Sequence, residues 1–244
     1  MRARAVVVAI VALALAIVCV RLGLWQLSRW QGKRANGEAL RAALAAPATP
    51  MTSAAASAAS ADVEHVRAAG HFDESWRLLV SDQWRGDSAG VELVSPLLLE
   101  NGGAVLVDRG WLPSADGVDA RVPALADSGP CRIEGLLEPP PRAGRASAWQ
   151  RLPDAGAGRW AARWLEPDSA RARLPYAIAP RVLVALADSL APALPRRAAP
   201  EAPDPTMHLA YAVQWALFAL AFLGGAALVL VRDRPARATS GSRA

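Results

Sequence analysis

The stretch PTMHLAYAVQWALFALAF, Pro205 to Phe222, opens a long apolar run with an imidazole. His208, Tyr211, Trp215 and either Phe218 or Phe222 fall on one helical stripe by steps of three and four. Tyr and Trp at such an entrance serve as a belt at headgroup depth. A belt accounts for Tyr211, less well for Trp215 two turns in, and poorly for His208. An imidazole also ligates iron, and haem needs an apolar, aromatic-lined slot beside its ligand. On that reading His208 is the metal ligand and the aromatic stripe is the wall. Near the far end of the first apolar run, Arg21, Trp25 and Ser28 or Arg29 share one face. An arginine there can pair with a haem propionate. Spacing alone leaves both the belt and the haem slot open.

The rest of the chain offers weaker chemistry. In VLVDRGWLP, Val105 to Pro113, an apolar strand ends in Asp108, Arg109, Gly110 and Trp111. Either Arg109 pairs with a neighbour at a strand terminus, or a rigid edge presents Arg109, Gly110 and Trp111 to a partner. A hydrolase would draw on His71, Asp73 and Ser81 or Ser95, but the chain has no G-x-S-x-G elbow. His71, in GHFDESW, is expected as an ordinary polar residue beside a strand start. AGRASAW and DAGAGRW lack a Gly-Lys-Ser/Thr ending and read as loops. Three dispersed histidines and two cysteines form no zinc or copper cluster by local spacing. The net charge of +5 is carried by scattered arginines with Lys33 as the single lysine. A nucleic-acid footprint needs a stripe, so no nucleic-acid partner is expected.

The elements that must position these residues follow from where the apolar residues lie. The chain has 244 residues, 53% of them hydrophobic, concentrated at the two ends. Residues 5–27 read as a first transmembrane helix, long enough for a hydrocarbon core of about 30 Å. The alternative is a cleaved signal peptide, but VCVRLGLWQL offers no small-x-small cleavage site. Residues 28–62 read as a helical extension followed by an Ala/Ser-rich linker. Residues 208–231 form a second transmembrane helix. The tail 232–244 carries four arginines against Asp233, which marks it as cytoplasmic. Two spans then put the N-terminus inside too, and the domain 63–204 outside.

Within that domain the signals are strands: SWRLLVSDQ, then Leu93–Leu99 and Ala104–Trp111 as a hairpin about Gly102-Gly103, then CRIEGLLEPP and RVLVAL. DSARARL reads as a short helix. No βαβ alternation appears, so a Rossmann-type domain is not expected. The expected fold is a membrane protein with two transmembrane helices flanking an extracytoplasmic β-rich α+β domain.

Three separated stretches resemble one family. LGLWQLSRWQGKR is similar to its Gly-x-Trp-Gln-x-x-Arg signature. GHFD, followed by LLV and DQWRGDSAGVELVSPLLLENGGAVLVDRGWLP, is similar to its central block. HLAYAVQW is similar to its His-x-x-Tyr-Ala-x-x-Trp signature. Their order, spacing and two-span layout resemble the Surfeit-locus (Surf-type) cytochrome c oxidase assembly proteins. The resemblance implies a non-enzymatic assembly factor for haem-copper oxidase that binds haem a through the histidine opening the second span, His208 here. The matching tryptophan of the first signature is Trp25, and the central strand contributes Arg109, Gly110 and Trp111. Asp108 stands where the family often has Asn. The implied partners are the oxidase catalytic subunit, haem A synthase and membrane lipid. With no long presequence before the first span, a bacterial inner membrane is expected, with a periplasmic domain. Two other readings stand beside this one: a docking scaffold that holds no haem, and a membrane-anchored periplasmic hydrolase.

Overall fold

The computed structural model describes residues 3–52, 62–122, 125, 129–139, 148–153, 158–187 and 193–233. Part of the expected linker, the tail beyond Asp233 and most of AGRASAW lie outside the described residues. Among those described there are three helices: α1 (Ala3–Ala45), α2 (Pro167–Arg171) and α3 (Thr206–Arg232). The strands are β1 (Thr49–Pro50), β2 (Glu64–Phe72), β3 (Trp76–Arg85), β4 (Ser88–Leu99), β5 (Ala104–Pro113), β6 (Pro130–Glu138), β7 (Trp149–Arg151), β8 (Gly158–Ala162) and β9 (Ile178–Ala185). The chain divides into two compact units, Met1–Glu38 with Ala202–Ala244, and Ala39–Glu201.

The helical unit is built from α1 and α3. Helix α1 contains 43 residues, or about 65 Å at 1.5 Å per residue, roughly twice a hydrocarbon core. Nothing in the run from Ala3 breaks a helix until Pro47, which biases its predecessor away from the helical region. Helix α3 starts after Pro205, and the Asp204 carboxylate accepts the Thr206 N–H at 2.8 Å. Those bonds to Thr206 pull the Asp204 carboxyl below its ordinary range.

Each helix has one covered stripe. On α1 the buried or half-buried positions include Ala9, Ala12, Ala16, Cys19, Gly23, Gln26 and Trp30. On α3 they include His208, Ala212, Trp215, Ala219, Phe222, Ala226 and Val229. Steps alternating between three and four make a seam. Mostly small residues line it, which lets two backbones approach closely. Away from the seam the surface is apolar: Ile10, Leu217 and Leu220 are 60–64% exposed. A soluble helix would invert that pattern.

The second unit is a nine-stranded sheet in the order β1-β2-β6-β9-β5-β4-β3-β8-β7, with an additional β2–β4 pairing. That extra pairing closes β2, β6, β9, β5 and β4 into a ring. Closure joins Gly70, His71 and Phe72 to Leu99, Leu98 and Leu97. Gly70 is required there, because a Cβ would stand 2.2 Å from the Leu98 carbonyl oxygen. Val66, Phe72, Leu97, Val105, Ile133, Leu137 and Leu183 fill the interior. Strands β3, β8 and β7 extend the sheet past the ring. A second cluster, including Leu78, Leu106 and Val182, packs beneath α2 through Leu165 and Ala170.

The strand-rich domain and the Gly102-Gly103 hairpin are present. Two local expectations are corrected. His71 lies at the end of β2, not beside a strand start, because the pairing with β6 begins upstream at Glu64. The described part of DAGAGRW, Gly158 to Trp160, is strand β8. Its register is supplied by the parallel neighbour β3, with Trp76 opposite Gly158. Strand β9 likewise runs parallel to its neighbour β5. Hydropathy alternation reveals a strand but not its partner.

Candidate functional site

In the helical unit the residue facing His208 is Gln26. The His208 Nδ1 lies 2.7 Å from Gln26 Oε1, a partly buried contact that joins α1 to α3. With the Gln26 amide oxygen turned to the ring, as placed here, the imidazole donates through Nδ1–H, and in its neutral form Nε2 then carries the lone pair. One turn before Gln26, Gly23 lies against α3 with room for one methyl. A Cβ there would meet the Ala212 carbonyl oxygen and the Trp215 Cβ, each at 3.5 Å. Trp215 in turn meets the Phe218 ring edge-on, centroids 5.8 Å apart at 81°.

The sequence-derived residues divide between faces. His208 and Trp215 are half-buried on the seam. Tyr211 flanks it and is 46% exposed. Arg21 and Trp25 are exposed, Trp25 at 52%. A two-residue step turns a helix by about 200°, so both sit away from the face that carries Gly23 and Gln26. Trp25 has its own neighbours: the Arg29 guanidinium lies 5.6 Å from its ring centroid, and Ser28 Oγ donates to its carbonyl at 2.8 Å. The structure therefore joins His208 to the first helix through Gln26, not through Arg21 or Trp25. Gln26 was within reach of sequence reasoning as the residue three after Gly23. It is the Gln of the Gly-x-Trp-Gln-x-x-Arg stretch, in which the sequence alone singles out its neighbour Trp25.

In the sheet unit, Arg109 and Trp111 do not form an exposed edge, which corrects that expectation. Arg109 is 0% exposed and Trp111 is 3% exposed. The Arg109 Nη1 pairs with Glu74 Oε1 at 2.9 Å, and the guanidinium lies 3.8 Å from the Phe72 ring centroid. Trp111 donates Nε1–H to the Gln83 carbonyl at 2.9 Å. Its ring lies against Gly90, where a Cβ would come within 2.2 Å. Backbone bonds between Trp111 and Arg196 run in both directions. Gly110 has φ 118°, and a Cβ would sit 2.8 Å from the Arg196 carbonyl oxygen. Arg109, Gly110 and Trp111 thus rivet the segment at Arg196 to the sheet.

His71 has no described side-chain bond to a serine. Ser81 is buried and donates to the Ala162 carbonyl, and Ser95 is 0% exposed. No nucleophile–base pair forms from these residues, so the hydrolase reading has no geometric support.

A cavity of about 790 Å³ opens on the sheet near Trp84, Arg85 and Arg163, and its walls include Glu92, Asp108 and Glu138. Burial, and then the nearby Glu92 charge, push the Asp108 carboxyl well above its ordinary range. The Gly110 N–H, donated to Asp108 Oδ1 at 2.9 Å, opposes that rise only in part. Burial also raises Glu138, against the pull of Arg181. Asp108 stands out in the sequence, but its grouping with Glu92 and Glu138 needs strand register to appear.

Two helices long and apolar enough to cross a membrane, with a strand-rich domain, fit a membrane-protein architecture. Residues 13–220 match the SURF1 family, a span that includes both Gln26 and His208. The chain belongs to the SURF1 family, an assembly-factor family associated with cytochrome oxidase assembly. No curated protein matches the chain significantly.

Proposed function

We propose that the protein assists assembly of haem-copper (cytochrome c) oxidase by holding haem a as cargo and helping deliver it to the catalytic subunit. The observation that carries this reading is the His208–Gln26 contact at 2.7 Å. It fixes an imidazole at the entrance of an apolar helix with Nε2 as its basic nitrogen. That donor set fits ferric or ferrous haem, for which neutral imidazole is a common axial ligand. The aromatic group of Tyr211, Trp215 and Phe218 supplies apolar surface beside it. Arg21, being exposed and remote from the seam face, fits a propionate partner less well than spacing suggested. Cargo held at the lipid-facing end of two helices stays out of water and can pass laterally to a membrane partner.

The same reading sets the protein in a bacterial inner membrane with both termini inside and the sheet unit in the periplasm. Haem A synthase is then the source of the cargo. The test is titration of the purified full chain, in lipid nanodiscs, with haem a. The wild-type chain is expected to give a Soret band of histidine-ligated haem, and His208→Ala is expected to weaken binding at least tenfold. Equal affinity and an unchanged band in the variant would reject His208 as the ligand. A wild-type chain that binds no haem but co-purifies with the oxidase subunit would replace the cargo role with docking.

A further inference from the structure

We infer that Gln26 is the positioning residue of the site: its side-chain carbonyl holds His208 in the Nδ1–H tautomer and so selects Nε2 as the nitrogen offered to haem iron. The inference rests on the haem reading above for its purpose, but its physical core concerns this chain alone.

Three facts carry it. The contact is short, 2.7 Å, and joins residues 182 positions apart on two helices. It is the one side-chain bond made by His208 among the described residues. Its location is also fixed from below, since Gly23 brings the α1 backbone against Ala212 and Trp215 one turn away. An unconstrained histidine favours the Nε2–H tautomer, which would turn a proton, not a lone pair, toward a metal at Nε2. Ligating histidines commonly give their other ring N–H to an oxygen for this reason, and losing that oxygen costs about 10- to 100-fold in metal affinity. A neutral amide is a milder partner than a carboxylate. It orients the ring without making the imidazole strongly basic, which suits a ligand that must later release its cargo.

Two measurements separate this inference from the haem reading. In the first, no haem is present. The full chain, labelled with ¹⁵N-histidine and reconstituted in nanodiscs, is compared with Gln26→Leu and Gln26→Glu. His208→Ala assigns the resonance. Wild type and Gln26→Glu are expected to show the Nδ1–H tautomer, and Gln26→Leu the Nε2–H tautomer. An unchanged tautomer in Gln26→Leu overturns the inference whatever haem does. In the second, haem a is bound. Gln26→Leu is expected to weaken binding by about 10- to 100-fold. Gln26→Glu is expected to restore affinity and to lower the midpoint potential below wild type, because a carboxylate makes the ligand more basic. A merely structural role would let Gln26→Leu and Gln26→Glu shift affinity without an ordered change in potential. Wild-type binding that survives Gln26→Leu at full strength overturns the inference and spares His208. Failure of the wild type to bind haem removes the haem reading and leaves the tautomer result standing.

Discussion

The two units use glycine against opposite constraints. In the sheet, Gly70 stands where a Cβ would be 2.2 Å from a backbone oxygen. In the helices, the same addition at Gly23 would meet its neighbours at 3.5 Å, an ordinary contact. The first position has no slack and the second has room for one methyl. The contrast extends to their polar contacts. The sheet encloses Arg109 and Arg181, at 0% and 1% exposure, each paired with a glutamate. Among the described residues the helices are joined by one side-chain bond, between His208 and Gln26, across a seam of mostly small residues. A ring closed by a backbone pairing resists change everywhere along its edge. A two-helix seam can part locally, which is what the proposed haem-carrying role would require.

The sharpest way to break this contrast is Gly70→Val. Overpacking typically costs about 1–3 kcal/mol, and a side chain driven into a paired carbonyl belongs at the top of that range. Thermal unfolding followed by tryptophan fluorescence should show the sheet transition displaced well below wild type. A transition within 2 °C of wild type would mean that the β2–β4 closure contributes little to the ring.

A milder intervention sharpens the contrast from the helical side. Gly23→Ala should be silent, because its Cβ has space. Gly23→Leu should push α1 from α3 and disrupt the Gln26–His208 bond while leaving the sheet transition where it was. The histidine tautomer signal reports the first effect and tryptophan fluorescence the second. Loss of both signals in Gly23→Leu would show that the two units do not respond independently.

Much of this arrangement could be read from the sequence, and the failures share a cause. The two spans are long and apolar, so α1 and α3 were evident, and SWRLLVSDQ and GVELVSPLLLENGGAVLVDRGWLP announced strands by their apolar runs and turn glycines. His208 stands out in the sequence because a headgroup belt explains an imidazole poorly. What escaped depends on which elements become neighbours. Gln26 looks inert until α3 brings His208 opposite it. Arg109 and Trp111 looked like an edge because their strand ends there, but the segment at Arg196 covers them from 85 residues downstream. The glutamates that pair with Arg109 and Arg181, and Asp108, have no local pattern at all.

The smallest expected effect concerns Asp108, whose carboxyl is raised by burial and by Glu92. A folded-state pKa above the unfolded one means that the fold prefers the protonated acid. The resulting stability is fully present below the ordinary aspartate range, near 3.9, and is lost as pH rises through the folded value. Glu138, also raised, acts with the same sign. Groups shifted the other way include Asp116, held at about 2 by the N–H groups of Asp119 and Val118 and by Ser114. Their contribution is lost only as pH falls below the ordinary range, so the two windows do not overlap. As pH rises above the ordinary carboxylate range the wild-type transition should therefore drift downward. Asp108→Asn keeps an oxygen for the Gly110 N–H but cannot ionise. It should flatten the drift without abolishing it, because Glu138 remains, and should leave behaviour below pH 4 unchanged. Parallel curves for the variant and wild type above the ordinary carboxylate range would show that Asp108 ionises freely in the fold and that its enclosure by β4 and β5 is not maintained in solution.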